Sequence, residues 1–172
     1  ETYGQDSVAM LSPKGLSTSQ DEEDFENSTL GDFIDHIQNG GQKYLRFHPF
    51  LMEHPELLED LDLEWISSIQ TRGVVRPEYQ MFVGPAGSYT PVHCAMPCNA
   101  FIQVYGTKRW LLFEPSDFPL LGPNLSGLSY YETDVDPKDV DTERYPLFPY
   151  LNAREVILEP GDVFWNPPYM WH

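Results

Sequence analysis

The hydrophobic period of this 172-residue chain changes at residue 78, and that change constrains the fold more than any other feature. Before it, the segment "STLGDFIDHIQNGG" predicts an amphipathic helix that Thr29 caps and Gly40-Gly41 end. The segment "HPELLEDLDLEWISSIQ" predicts further helix in one or two short pieces. After it, short apolar runs alternate with proline and glycine turns, which is typical of strands. Helices followed by antiparallel strands indicate a mainly β fold, a β-barrel or jelly roll with an N-terminal helical layer.

The strands are predicted in "EYQMFVG", "SYTPVHCAM", "NAFIQVYG", "KRWLLFEP" and the last twenty residues. We expect "NAFIQVYG" and "KRWLLFEP" to form a hairpin across Gly106-Thr107, and the closing segment to form a second hairpin at a Pro-Gly turn. The first residues are polar, with a short strand expected around Ser7–Met10. The chain therefore divides into a polar N-terminal segment, residues 1–28, and one domain, residues 29–172.

The charge of the chain excludes one class of partner. A formal net charge of −17 and a pI near 4.4 leave no basic face for a phosphate backbone, so we expect no nucleic-acid partner. We expect a protein or peptide partner instead, with the chain as one subunit of a larger assembly. No apolar run approaches the ~18 residues that a membrane span needs. Two cysteines imply no disulfide framework, which favours a soluble, intracellular protein of the cytoplasm, the nucleus or, after removal of a targeting peptide, an organelle lumen.

Two histidines on late strands, His93 and His172, are the candidates for a metal site. Spacing alone leaves two interpretations open, because a single histidine on a strand is a metal ligand or an ordinary core or surface residue. The remaining histidines are interpreted as a helix-face residue and two loop residues: His36, His48 and His54.

Several separated motifs in the same order resemble those of a known family. The segment "GPAGSYTPVHCAMPCNAFIQVYGTKRWLLFEPSD", followed by "EPGDVFWNPPYMWH", is similar to the JmjC/cupin-8 group of Fe(II)- and 2-oxoglutarate-dependent oxygenases, which includes the asparaginyl hydroxylase of the hypoxia pathway. The resemblance runs from "QKYLRFHPF" to the last residue. It implies a double-stranded β-helix, in agreement with the strand pattern. It also implies further strands on either side, so we expect this domain to be incomplete at both ends.

The resemblance further implies a site for Fe(II) and 2-oxoglutarate. The family binds iron through a His-x-Asp/Glu pair on one strand and a distal histidine on a later one, which leaves adjacent positions for the cosubstrate and dioxygen. His93 matches the first ligand and His172 the distal ligand. Lys108 and Thr90 match groups that bind the far carboxylate of 2-oxoglutarate. The other implied cosubstrate contacts are Asn99, Phe101 and Tyr44. Without the resemblance, Lys108 is interpreted as a surface lysine at a hairpin end and Phe101 as a core residue.

This sequence departs from the family at Ala95, which stands where the acidic ligand is expected. Three explanations are open: an inactive domain kept for structure or for binding a partner, a halogenase in which chloride uses the vacancy, or a site that another group completes. For the last, Cys94 is unsuitable because successive strand residues point to opposite faces. Cys98 or Met96 in the following bend could turn inward. Iron and 2-oxoglutarate are therefore expected cofactors only if the site tolerates alanine.

The acidic segment "SYYETDVDPKDVDTERYP" lies between predicted strands. Related oxygenases place loops that close over a peptide substrate at this point. Tyrosines interleaved with aspartates predict a contact surface, either for a basic peptide or for a neighbouring subunit.

Overall fold

The computed structural model divides the chain into two compact units, Glu1–Tyr89 and Thr90–His172. The described residues contain ten strands, four α-helices and three 3-10 helices. This confirms the prediction of a mainly β fold. The residues that the structure describes are 2–11, 25–69, 78–124 and 130–172.

The first unit is built on a four-stranded antiparallel sheet in the order β2-β1-β3-β4. One helix, α1 (Leu30–Gln38), covers the sheet, because its buried Phe33 joins Val8, Met10 and Leu45 in one apolar cluster. The strands are β1 (Ser7–Leu11), β2 (Phe25–Thr29), β3 (Tyr44–His48) and β4 (Met81–Val83). Three short helical pieces follow β3: α2 (Phe50–Glu53), a 3-10 helix (Pro55–Asp60) and α3 (Leu63–Ile69).

Local sequence determines the ends of α1 as predicted. The Oγ1 atom of Thr29 accepts a hydrogen bond from the backbone N–H of Asp32 at 3.1 Å, and Gly40 follows the helix with φ +87°. The polar sequence before Thr29 predicts no strand, yet β2 forms there. β2 is an edge strand of the sheet and its side chains are mostly exposed, so it has no apolar alternation to detect.

In the described residues of the second unit, six strands form three antiparallel pairs: β5 with β8, β6 with β10, and β7 with β9. A 3-10 helix (Pro115–Asp117) and α4 (Phe118–Leu121) follow β7, and another 3-10 helix (Phe148–Tyr150) precedes β9. The strands are β5 (His93–Ala95), β6 (Asn99–Ile102), β7 (Lys108–Leu112), β8 (Tyr130–Glu132), β9 (Arg154–Leu158) and β10 (Val163–Asn166).

Both predicted hairpins are wrong in their pairing, although their strands exist. β6 does not pair with β7, and β9 does not pair with β10. The turns themselves form, since Gly106 and Gly161 adopt φ values of +68° and +98°. β6 and β7 meet through their side chains instead: the rings of Phe101 and Trp110 lie 5.2 Å apart. Both rings are half-buried in this contact.

In the parts of the chain that the structure describes, no helix has the length and apolar character needed to cross a membrane.

Candidate functional site

β5 separates an apolar core from the face that carries the candidate site. Cys94 is 1% exposed and packs in a cluster with Val92, Phe113 and Trp171. Because strand side chains alternate, His93 on one side of Cys94 points to the opposite face, together with the residue two positions on. Burial also raises the pKa of the Cys94 thiol to about 11, so this cysteine is a hydrophobic core residue.

The last residues of the chain bring a second histidine beside the first. The backbone N–H of His93 donates to the carbonyl of His172 at 3.0 Å, and the N–H of His172 donates to the carbonyl of His93 at 2.9 Å. Such directly opposed residues share one face of a sheet. The two imidazole rings accordingly lie with their centroids 4.2 Å apart. Trp171 is tied in the same way to Phe113, through bonds of 2.9 and 3.2 Å, which anchors the segment between β5 and the end of β7.

Both imidazoles are held in the tautomer that suits metal ligation through Nε2. The Nδ1 atom of His93 lies 2.8 Å from the carbonyl oxygen of Pro91, and that of His172 lies 2.9 Å from the carbonyl oxygen of Met170. A carbonyl only accepts, so each Nδ1 carries the proton and each Nε2 presents its lone pair. Burial lowers the pKa of His172, and the bond to Met170 opposes that effect in part. The neutral imidazole is therefore the favoured form.

Ala95 stands where the family places its acidic ligand. Ala95 is directly opposite Tyr130 in the register of β5 and β8, and the Tyr130 ring stacks on His93 with centroids 5.1 Å apart and planes 27° apart. Glu132 is the residue opposite His93. Nevertheless, among the described residues no three His, Cys, Asp or Glu side chains gather closely enough to hold a metal ion. The residues fit a pair of imidazole ligands, but they do not fit the complete iron centre.

Trp110 closes the opposite wall of the site. Its ring lies 5.0 Å from that of His172, 5.2 Å from Phe101 and 4.9 Å from Phe164. Its Nε1 donor is buried and has no hydrogen-bond partner among the described residues. The sequence gives a signal for this residue, because Trp110 is two positions after Lys108 and so shares its face of β7.

Asn166, which the sequence reasoning missed, is 3% exposed and lies against His172. Its Nδ2 atom is 3.4 Å from Nδ1 of His172, and its Oδ1 atom is buried without a partner. The Nδ1 proton of His172 is already donated to the Met170 carbonyl, so the amide contact at 3.4 Å adds at most a weak second interaction. Its cross-strand partner is Asn99, which is exposed.

The other predicted cosubstrate residues occupy different places. Thr90 is half-buried and precedes β5, and Lys108 begins β7 on the face that bears Trp110. Tyr44 belongs to the first unit, where it is 5% exposed on β3. There a Cβ atom on Gly84 would lie 2.6 Å from the Tyr44 ring, so only glycine fits beside it. The cosubstrate roles of these residues stay predictions.

Comparison with known proteins gives one family. The family described as Cupin-like domain matches residues 5–172. Jumonji C domain-containing protein 5 of Drosophila melanogaster is 33% identical over 133 residues, which cover 76% of this chain and 33% of that protein. HSPB1-associated protein 1 of Homo sapiens is 32% identical over 157 residues, covering 86% and 31%. Lysine-specific demethylase 8 of Danio rerio is 30% identical over 148 residues, covering 84% and 36%.

The matched segments span about a third of the length of these relatives. The family match begins at residue 5, within the polar N-terminal segment, and the division predicted at residue 28 stays a prediction. The match covers almost the whole chain and agrees with the strand-rich fold. The chain belongs to the JmjC/cupin-like family.

Proposed function

We propose that this chain is a JmjC-type cupin domain with a degenerate metal site, which binds iron weakly or not at all and serves as a structural or protein-binding domain. The observation that carries the proposal is the pair of Ala95 and Tyr130: the acidic ligand is missing and an aromatic side chain stands opposite the position.

The chemistry of the donor set supports this function. Two neutral imidazoles, His93 and His172, supply no negative charge to a divalent ion. Loss of a mere supporting contact around a metal ligand already weakens binding by roughly 10–100-fold. Loss of the anionic ligand itself should weaken it more. Family members are generally Fe(II)- and 2-oxoglutarate-dependent, but hydroxylation by this chain would require a site that its own residues leave incomplete.

Anaerobic titration with Fe(II) and 2-oxoglutarate tests the proposal. We expect no metal-to-ligand charge-transfer absorption at micromolar iron, whereas a family hydroxylase with the complete ligand set should show it under the same conditions. A strong band from this chain would refute the degenerate site. Repeating the titration with chloride tests the halogenase alternative, since an open ligand position should respond to the halide and a closed one should not.

We also propose that the segment 130–145 (the acidic loop) recruits a basic protein segment. Exposed carboxylates support this, and one relative is named for its association with HSPB1. Two tyrosines of the loop are used inside the unit, because Tyr130 stacks on His93 and Tyr131 packs on the apolar cluster of β5. The contact surface would then consist mainly of carboxylates.

Charge reversal tests this interaction without removing β8. Asp139 and Glu143 are exposed, and changing both to lysine should weaken binding of a Lys/Arg-rich synthetic peptide and reduce its salt dependence. The control is Glu64→Lys on α3, an equally exposed site outside the loop. Fluorescence anisotropy measures the affinity. If the control weakens binding as much per charge as the loop variant, net charge and not the acidic loop attracts the peptide.

A further inference from the structure

We propose that Tyr130 fills the space beside His93 that a carboxylate side chain at position 95 would need, so that alanine and tyrosine form a matched pair. The inference rests on the degenerate site proposed above and deepens it: the third ligand position is closed by the chain's own aromatic ring, and is not open to an ion.

The register of β5 and β8 gives the first step. The N–H of Thr133 donates to the carbonyl of Val92 at 3.0 Å, which makes these two residues a hydrogen-bonded pair. In an antiparallel ladder, bonded and non-bonded pairs alternate. Ala95 and Tyr130 therefore form a non-bonded pair, in which side chains approach most closely, with Cβ atoms about 4.5–5.5 Å apart.

The ring contact gives the second step. Tyr130 starts opposite Ala95, yet its ring stacks on His93, two residues back along β5. The ring therefore runs diagonally across the ladder, from the rung that contains Ala95 to the imidazole of His93. A longer side chain at position 95 would compete with the ring for this path, whereas the methyl group of alanine leaves it clear.

Chemistry adds a third step. An aspartate at position 95 would bring a negative charge close to the Tyr130 ring, whose faces repel an anion because they carry the negative part of the quadrupole. It would also lose water on the side that the ring covers. Restoring the carboxylate alone should therefore not restore the site, because the new group must first displace the tyrosine.

Glu132 is the competing source of a third ligand. It stands opposite His93 on the same face, as the neighbouring non-bonded pair of the ladder. In the structure its carboxylate does not form a metal-binding group with the two histidines. A metal site that depends on Glu132 is the alternative that the experiment must separate.

The experiment measures Co(II) binding by calorimetry and by visible absorption in four proteins: the native chain, Ala95→Asp, Ala95→Asp with Tyr130→Ala, and Ala95→Asp with Tyr130→Phe. We expect Ala95→Asp to bind like the native chain and the tyrosine-to-alanine double variant to bind roughly tenfold or more tightly. The phenylalanine double variant keeps the ring and should not gain. Thermal melts confirm that each variant is folded.

Each outcome decides a different point. Tight binding by Ala95→Asp alone, or equal binding by the two double variants, overturns the role of the Tyr130 ring while leaving the degenerate native site intact. Tight binding by the native chain that Glu132→Gln abolishes refutes the degenerate site itself. If the double variants do not fold, the single variant Tyr130→Ser, which keeps Ala95, replaces them. Formate then serves as a free carboxylate, and adding it should strengthen Co(II) binding to Tyr130→Ser but not to the native chain. A native chain that responds equally to formate contradicts the inference.

Discussion

Replacement of Trp171 by alanine should cost more stability than replacement of any exposed tryptophan, because this residue both fills the core of the second unit and anchors His172. Trp171 is 1% exposed and packs with Val92, Cys94 and Phe113. Its backbone pairs with that of Phe113, which fixes the segment that presents the distal histidine to β5.

The magnitude follows from the buried area. A tryptophan buries 150–250 Å², which at ~25 cal/mol per Å² gives about 4–6 kcal/mol as an upper range. Measured losses for Trp→Ala in cores are about 3–5 kcal/mol, and we expect Trp171→Ala to lie there. Trp165 of β10 is the matched control, because it is 42% exposed in the same unit. Its replacement should cost no more than roughly half as much.

Urea unfolding followed by far-ultraviolet circular dichroism measures both variants without relying on the fluorescence that the mutations remove. The free energy of unfolding of a domain is typically about 5–15 kcal/mol, so the loss at Trp171 should lower the midpoint of the urea transition strongly. Equal losses for the two variants, or a loss below about 1.5 kcal/mol at Trp171, would show that the cluster around β5 does not carry the packing assigned to it.

Two further predictions concern titration and thiol chemistry. Burial lowers the pKa of His172, so below about pH 6.5 the unfolded chain binds a proton that the native imidazole does not. The free energy of unfolding of the metal-free protein should therefore fall as the pH drops below about 6.5, by at most about 1.4 kcal/mol per pH unit. Urea melts between pH 7.5 and 5.5 should show a smaller pH dependence for His172→Gln than for the native chain. An unchanged slope would contradict this. Cys94 is buried with a thiol pKa of about 11, whereas Cys98 is half-buried, so a maleimide at pH 8 should modify Cys98 first. Mass spectrometry of the peptides gives the order of labelling. Equal labelling of both cysteines in the native protein would contradict this prediction.

Local features of the fold could be predicted from the sequence, because each is encoded within a few residues. The stripe and cap of α1 lie in one segment, and the strand periods of β5, β6 and β7 are visible in theirs. The face of His93 follows from alternation alone. Strand pairing could not be predicted in this way. β6 is nearer in sequence to β7 than to β10, yet it pairs with β10, and it meets β7 through side chains such as Phe101 and Trp110.

The same limit explains which site residues were missed. Tyr130 lies in a segment that the sequence predicts as a loop, so neither β8 nor its partner was predicted, and β8 follows β5 after a long connection. The contact between Tyr130 and His93 exists only once β5 and β8 are paired. The role of Asn166 could not be predicted either, because it depends on the contact between its side chain and His172. That contact forms only after the last residues of the chain pack against β5.

Retention of both histidines needs no metal to explain it. Each imidazole has its Nδ1 proton on a backbone carbonyl, and His172 is held neutral by burial. Tyr130 stacks on one ring and Trp110 lies 5.0 Å from the other, so the pair forms part of an aromatic layer between β5 and β7. Loss of either imidazole would leave a cavity in that layer and a backbone carbonyl without its hydrogen bond. A carbonyl that is also cut off from water would lower the stability of the fold by about 1–3 kcal/mol, in addition to the cost of the cavity. A requirement for a folded domain would therefore keep both histidines without any metal, and their presence beside Ala95 agrees with the proposed scaffold.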